Sequence, residues 1–244
     1  MREHQDLLNA DYASLYSSYY KNNSSLTIKR ELSAIESARN IVSAIGNSGC
    51  GRLIDVGAGD GNVLEQLSRI GFAREMVALE ISDSGLELIE SKKIPPVSEI
   101  RKFDGYSIPY PDKHFDLAIA IHVLEHVEHE RIFLREIGRV SRNLFIEVPL
   151  EHGLRIQRSI NNGKKTGHIN FYTQETLQGL LESCGFKVMQ CRVVTSSLKY
   201  EQFLYGRAKG YVKNKIRAAL LAVMPKLAPR LLTYNGYIYC ECPQ

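Results

Sequence analysis

The pattern of hydrophobic and polar positions alternates between two periods along most of the chain. Short apolar runs of strand length are followed by segments in which apolar residues recur every three or four positions. This alternation, which continues to residue 196, predicts a doubly wound α/β fold: a mostly parallel, seven-stranded sheet covered by helices on both faces. The predicted strands lie at 53–56, 76–80, a segment ending at 105, 117–121, 144–148, 186–195 and 237–240.

Helical spacing and end signals predict the elements between the strands. An amphipathic helix from Ile28 to Ile45 is stopped by Gly46, and further helices are predicted over 83–93, 129–142 and after the capping residue Thr173. Two polar stretches, 21–25 and 163–165, are predicted to be loops. A stripe on a predicted N-terminal helix indicates either core packing or a lid over the ligand: Leu8, Tyr12, Leu15, Tyr16, Tyr19 and Tyr20.

A chain of 244 residues suits one α/β domain with appendages rather than two independent domains. We therefore predict an N-terminal helical lid at 1–46, a ligand-binding core at 47–196, a helical insertion at 197–234 and the last strand at 235–244. The first residues contain no apolar core typical of a signal peptide, and no apolar run reaches the ~20 residues of a membrane helix. A cytoplasmic protein with its five cysteines reduced is the expectation.

The net charge of +4 is concentrated in the predicted insertion. Residues 197–234 carry eight Lys or Arg against Glu201 alone, whereas the remainder of the chain is slightly acidic. An anionic partner is therefore expected here: a phosphorylated or lipid-linked acceptor, an anionic membrane surface or nucleic acid. The aliphatic run at 218–224 favours a partner that is apolar as well as anionic, although packing of this face on the sheet is an equal alternative.

A glycine-rich turn connects the first predicted strand to its helix. Gly57, Gly59 and Gly61 leave the turn almost free of side chains, so backbone can approach a ligand beside the positive end of the helix. A dinucleotide-binding fingerprint would place its third glycine at position 62, which is Asn62. By itself such a turn is equally compatible with an ordinary strand-to-helix connection.

The pattern Asp55-x-Gly57-x-Gly59-x-Gly61 resembles the first motif of the class I S-adenosylmethionine-dependent methyltransferases. The resemblance continues over about residues 50–190, and its small-molecule, ubiquinone- and menaquinone-methyltransferase-like subgroup is the nearest in pattern. It implies S-adenosyl-L-methionine as cofactor, an antiparallel last strand, Glu80 on the ribose hydroxyls and Asp104 on the adenine amine. The cofactor-binding residues that it implies are Asp55, Gly57, Ala58, Gly59, Gly61, Glu80, Ile81, Asp104, Gly105, Ile121 and His122.

Methyl transfer from a sulfonium mainly requires alignment of the acceptor, and a base helps where the acceptor is a hydroxyl. In the family, two segments border the acceptor, and they place His122, His126 and His168 as the candidate catalytic residues, with Tyr172 as a further acceptor contact. The alternative is that these histidines only fix loops through backbone hydrogen bonds. His152 is a further candidate base.

The segment His122-x-x-Glu125-His126 formally matches a zinc-peptidase pattern. That pattern requires a helix, whereas here a predicted strand runs directly into it. We therefore predict no metal, with a loosely held divalent ion or a hydrogen-bonded helix cap as the alternatives.

The predicted function is methyl transfer to a small-molecule or glycolipid- or glycan-type acceptor, at oxygen. Two alternatives remain open: an RNA or nucleic-acid methyltransferase, and a protein that binds S-adenosylmethionine without catalysis. Nucleic acid is disfavoured because the Asn/Asp-Pro-Pro-Tyr/Phe motif is absent after the fourth predicted strand. Peripheral contact with an anionic membrane is expected, and the sequence predicts no oligomeric state.

Overall fold

The structure is a computed structural model that describes residues 24–154 and 156–244. One mixed sheet lies at its centre. The strands are β1 (Cys50–Val56), β2 (Ala73–Glu80), β3 (Val97–Lys102), β4 (Phe115–Ile121), β5 (Ser141–Leu150), β6 (Lys187–Val194) and β7 (Tyr234–Glu241). Their order is β3-β2-β1-β4-β5-β7-β6. The first five pair in parallel, and β7 inserts antiparallel between β5 and β6. The predicted seven-stranded α/β fold is confirmed.

Nine helices accompany the strands in the described part of the chain. They are α1 (Ser24–Ile45), α2 (Asn62–Arg69), α3 (Asp83–Lys92), α4 (Glu130–Val140), α5 (Ile156–Thr166), α6 (Gln174–Ser183), α7 (Leu198–Tyr205), α8 (Arg207–Val223) and α9 (Ala228–Leu231). Thr173 caps α6 as predicted, with its hydroxyl accepting from Thr176 N.

Two local predictions were wrong. Residues 163–165 lie in α5 and not in a loop, because the helix continues to Thr166 before Gly167 takes a positive φ of 80°. Ser24 and Ser25 already belong to α1. The connection from β3 to β4 contains no helix and is held by turns such as that around Asp104. The predicted tyrosine stripe lies outside the described residues.

The two faces of the sheet carry separate cores. On one face, α4 and α6 bury side chains such as Phe133, Ile137 and Leu177 against β4 and β5. On the other face, α1 and α2 bury Ile41 and Leu64. Since β1, β4 and β5 are covered on both sides, each of them contains at least four consecutive buried residues, as expected for central strands of such a sheet.

The order of the strands places a crevice at the carboxyl ends of β1 and β4. These neighbours connect in opposite directions, β1 towards β2 and β4 towards β5. In open α/β sheets, ligands bind where the strand order reverses. The glycine turn after β1 and the segment after β4 therefore meet at this edge.

Helices α7, α8 and α9 form the insertion between β6 and β7. Glu36 of α1 anchors it by accepting from Ser197 N at 2.7 Å, and Asn214 Nδ2 donates to Ser196 O at 2.8 Å. Only Gly210 of α8 is buried. Val212 and Val223 are 55% and 78% exposed, so packing on the sheet does not account for the aliphatic side chains of α8. Among the described helices, none is long and apolar enough to cross a membrane.

Candidate functional site

The glycine turn has a backbone conformation that residues with a Cβ rarely adopt. Gly57, Gly59 and Gly61 have φ values of 87°, 60° and 72°. A Cβ added at Gly57 would lie 2.6 Å from Val123 Cγ2, and the N–H groups of Gly57 and Ala58 both donate to Leu79 O at 2.9 Å. The turn is therefore pinned to β2 and exposes backbone to the crevice.

The Glu80 carboxylate lies beneath this turn and holds it in place. It accepts hydrogen bonds from Gly59 N at 2.8 Å and from Ser82 N and Oγ at 2.9 Å. Ser82 Oγ in turn accepts from Gly85 N and caps α3. Burial raises the pKa of Glu80, partly opposed by these bonds. One carboxylate thus fixes both the glycine turn and the start of the following helix.

Asp55, at the end of β1, is the other carboxylate at this edge of the sheet. It is only 2% exposed, yet it contacts the crevice, and no described residue donates a hydrogen bond to its side chain. Burial and the nearby charge of Glu80 raise its pKa to about 8. Because a buried carboxylate is stabilised by a positive partner, this position suits the amino group of a bound ligand.

A cavity of about 620 Å³ lies over the glycine turn, between α1, the ends of β1 and β4, and α5. Eight of the predicted site residues line it. They are Asp55, Gly57, Ala58, Gly59, Ile121, His122, His126 and His168. The remaining predicted cofactor residues, Gly61, Glu80, Ile81, Asp104 and Gly105, do not line this cavity. The Asp104 carboxylate instead accepts from Tyr106 N and Ser107 N at 2.8 and 2.7 Å, so its role towards adenine stays a prediction.

His122 is held between two buried carboxylates. Its backbone has a positive φ of 55°, its Nδ1 lies 3.4 Å from Glu125 Oε1, and its Nε2 lies 3.5 Å from Glu147 Oε1. Burial acts to lower the pKa of His122, but the hydrogen bonds and charges of the two glutamates outweigh it and raise the pKa to about 10. His122 is therefore a cation at neutral pH and does not suit the predicted role of proton acceptor.

His126 and His168 have the arrangement that a base requires. His168 Nδ1 lies 2.7 Å from Glu151 Oε2, and His126 Nδ1 lies 3.0 Å from Gly167 O. When Nδ1 carries the proton in each bond, Nε2 is the accepting nitrogen of the neutral ring. The two rings are 4.8 Å apart at 82°. Burial lowers the pKa of His126, which keeps that ring neutral.

Glu125, His126 and His168 are the described residues that could jointly hold a cation, with ligand atoms within 4.8 Å of one another. Glu125 Oε2 is buried and has no hydrogen-bond partner among the described residues. The peptidase alternative fails, because the chain forms a single 3₁₀ turn at Leu124–His126 in place of the required helix. The predicted absence of a metal stays a prediction.

Several residues of the site were not predicted from the sequence. Arg30 of α1 pairs with Asp60 in the glycine turn (Nε to Oδ2, 2.8 Å), and Glu147 accepts from Ser37 Oγ and Asn40 Nδ2. Among these residues, only Asp60 could have been identified from the sequence, because it lies between two glycines of the turn. Glu147 lies within the apolar strand β5 and Glu151 follows its last residue, and no local pattern indicates that either belongs to the site.

Comparison with known proteins identifies the family. A family described as methyltransferase domain matches residues 26–191. Phosphatidylethanolamine N-methyltransferase of Cereibacter sphaeroides is 31% identical over 113 residues, which are 44% of this chain and 53% of that protein. Ajmaline N-methyltransferase of Rauvolfia serpentina is 29% identical over 108 residues, 41% of this chain and 35% of that protein. The matches thus span about half or less of these relatives.

Solved structures share the fold at low sequence identity. Phosphoethanolamine N-methyltransferase 2 of Haemonchus contortus, solved with phosphomonomethylethanolamine and S-adenosylhomocysteine, has a TM-score of 0.63 at 13% identity, covering 86% of this chain and 53% of that one. The [4+2]-cyclase SpnF has a TM-score of 0.62 at 19% identity, covering 86% and 81%. Since a cyclase shares the fold, architecture alone does not establish the reaction.

The fold, the glycine turn and the fit of Asp55 to a ligand amino group agree with the family match, which covers well over half of the chain. The chain therefore belongs to the class I S-adenosylmethionine-dependent methyltransferase family.

Proposed function

We propose that this protein transfers the methyl group of S-adenosylmethionine to a hydroxyl of a small amphiphilic acceptor, lipid-linked or glycan-type. The observation that carries the proposal is the cavity itself. Its floor is the glycine turn with the Asp55 carboxylate, to which no residue of the described part donates, and its other side presents His168, held by Glu151. Cofactor and acceptor would thus meet in one cavity.

Asp55 and the glycine turn are the residues that would hold the cofactor. The Asp55 carboxylate would accept hydrogen bonds from the amino group of S-adenosylmethionine. The backbone of the glycine turn would contact the nucleoside. The cofactor supplies an electrophilic methyl group, so the residues of this chain need only orient the acceptor, exclude water and remove one proton. His168 would accept that proton at Nε2, while Glu151 stabilises the resulting imidazolium through Nδ1.

An amine acceptor is the second candidate. It is favoured by the two curated relatives, whose names describe N-methyltransferases. An amine must also lose a proton before or during transfer, so the same histidine would serve. The geometry of the cavity suits both nucleophiles, and the ubiquinone- and menaquinone-like subgroup remains part of the proposal for oxygen.

The test is conversion of S-adenosylmethionine to S-adenosylhomocysteine with a panel of hydroxyl and amine acceptors. We expect turnover with an acceptor from the hydroxyl set, and His168→Gln should lower kcat by about 10²-fold or more without changing cofactor affinity. His129→Gln, an exposed histidine outside the cavity, is the matched control. Cofactor binding without turnover on any acceptor would instead support the non-catalytic alternative, and turnover on RNA alone the nucleic-acid alternative.

We also propose that the protein meets its acceptor at an anionic membrane surface. Of fifteen large hydrophobic side chains exposed among the described residues, nine lie between Phe203 and Leu227. Residues 202–240 contain no Asp or Glu, while α8 and the turn after it carry six Lys or Arg. A surface that is both apolar and cationic suits anionic lipid, whereas nucleic acid would gain little from exposed valines.

A further inference from the structure

A second cavity of about 410 Å³ lies between α5, α8 and α9, beside the cavity over the glycine turn. The two cavities share Glu151 and Asn162 in their walls. A molecule bound in one therefore lies next to the other. None of the residues predicted from the sequence as catalytic or cofactor-binding lines this second cavity.

Four basic side chains line this second cavity, against one acidic side chain. The basic residues are Arg158, Lys213, Arg217 and Arg230. The acidic residue is Glu151, and its carboxylate is already bound to His168 Nδ1 at 2.7 Å. The charge of the cavity is therefore strongly positive, and apolar side chains such as Leu150 and Leu232 complete the lining and weaken screening by water.

The four basic residues differ in how far their charges are already compensated. Arg217 lies 3.6 Å from the buried Glu201, and Arg230 lies 3.8 Å from the exposed Glu175. Arg158 and Lys213 have no acidic partner among the described residues. Lys213 is half-buried, with its ammonium 3.3 Å from the centre of the Tyr205 ring. Within the described ranges, these two cations therefore line the cavity without an acidic counter-charge.

The frame that carries these cations is tightly built. Leu154 N donates to Arg230 O at 2.8 Å, and a Cβ at Gly153 would lie 2.5 Å from that same oxygen. Tyr234 Oη donates to Arg217 O at 3.0 Å, and the Arg217 guanidinium lies over the Tyr234 ring. Because α8 and α9 are fixed to β7 and to the segment after β5 in this way, Arg217 and Arg230 are held in position before any ligand binds.

We propose that this second cavity is an anion subsite that binds a phosphate or pyrophosphate group of the acceptor, through Arg158 and Lys213. The inference rests on the proposed function, since it assigns the acceptor a chemical class. A phosphate bound there would leave the rest of the acceptor to extend past Glu151 and Asn162 towards His168. The donors are suited to the task, because Arg and Lys form charge-assisted hydrogen bonds to phosphate oxygens.

The test is calorimetric titration of the protein with inorganic pyrophosphate at low ionic strength, which needs neither cofactor nor turnover. We expect saturable binding that weakens roughly tenfold or more in Arg158→Gln and in Lys213→Gln, the loss that one charge-assisted hydrogen bond brings. Lys209→Gln is the matched control, because Lys209 is an exposed lysine of the same helix that does not line the cavity. It should bind within about twofold of the parent protein.

Equal weakening in all three variants would overturn the proposal, since it would indicate diffuse attraction to the whole basic surface. Absence of saturable binding would overturn it as well. A second arm compares glycerol 3-phosphate with vesicles that contain phosphatidic acid. If the protein prefers the vesicles, and Lys213→Gln binds them more weakly than Lys209→Gln does, the phosphate belongs to a lipid. If the protein prefers the soluble ester, the phosphate belongs to a free phosphate compound. If pyrophosphate binds as expected and no acceptor is methylated, the anion subsite stands and the proposed function fails.

Discussion

Asp55 and Glu80 are two carboxylates buried beneath one glycine turn, and their proximity makes the stability of the folded protein depend on pH. Burial and the charge of Glu80 raise the pKa of Asp55 from 3.8 to about 8. The folded protein therefore holds this proton more tightly than the unfolded chain does. Its contribution to the free energy of unfolding is complete below about pH 4 and is lost as the pH rises through about 8.

Asp55→Asn should remove this dependence in the ligand-free protein. We expect the melting temperature of the variant to rise relative to that of the parent protein as the pH increases from about 5 to 8. Over this range the unfolded parent chain ionises the carboxyl while the folded parent keeps it protonated, and the variant has no carboxyl to ionise. Thermal unfolding at several pH values measures the difference. A difference that stays constant over this range would contradict the assignment.

Cofactor binding should show the opposite pH trend. If Asp55 accepts the amino group of S-adenosylmethionine, the carboxyl must be ionised, so affinity should increase as the pH rises towards about 8. Asp55→Asn should bind more weakly and lose the dependence. Calorimetry at several pH values gives both quantities, with the exposed Glu87→Gln as control. An unchanged pH profile in Asp55→Asn would remove Asp55 from the cofactor site.

Glu80 holds the glycine turn in place, and it is also predicted to contact the ribose of the cofactor. Glu80→Ala removes the carboxylate that accepts from Gly59 N and from Ser82, and should weaken S-adenosylmethionine binding by about 1.5–3 kcal/mol. Glu90→Ala, on the exposed face of α3, should have no effect. Equal cofactor affinity for Glu80→Ala and the parent protein would show that neither the turn nor the ribose depends on this carboxylate.

At the scale of elements, α8 is the helix whose surface differs most from an ordinary solvated face. Arg207 and Lys215 are exposed on the same helix as Val212 and Ile216, which are themselves 55% exposed. Each basic residue near an anionic bilayer contributes about 1 kcal/mol, so the double variant Arg207→Gln/Lys215→Gln should bind vesicles roughly 30-fold more weakly.

Flotation with anionic and neutral vesicles measures this prediction. Binding to anionic vesicles should fade as salt is raised, because exposed charges are screened within ~8 Å at physiological ionic strength. A double variant that exchanges Lys93 and Arg69, exposed basic residues outside the insertion and outside both cavities, for Gln is the charge-matched control. Equal loss in both variants, or no flotation of the parent protein, would reject the membrane contact.

At the scale of the whole molecule, the stability of the core should not depend on the exposed side chains of the insertion. Phe145 of β5 is fully buried and stacks on Tyr237 of β7 at 5.1 Å, so Phe145→Ala should cost about 3–5 kcal/mol of unfolding free energy. Val212→Ala, in α8, should stay within about 0.5 kcal/mol. Denaturant unfolding compares the two. A large loss for Val212→Ala would show that α8 belongs to the cooperative core and that its apolar side chains are structural.

The sequence by itself determined the elements and the glycine turn of this protein, because these depend on local properties. Apolar periodicity placed the strands and most helices, and the positive φ that only glycine adopts readily marked the turn at 57–61. Local chemistry also marked Thr173 and Gly46 as helix ends. The same local signals gave a wrong prediction at 163–165, where glycine and lysine suggest a loop. The helix continues there because Gly163 packs against Phe171.

Only the tertiary structure decided which charges meet in the site. Ser37 and Glu147 are 110 positions apart in the chain, and Glu151 and His168 lie in the loops before and after α5, so no periodicity could pair them. The histidines look alike in the sequence, yet two glutamates make His122 a cation while burial keeps His126 neutral. The second cavity likewise exists only where α5, α8 and α9 come together. Pairings of this kind depend on the packing of distant elements, and hydrophobic patterns describe each element without its neighbours.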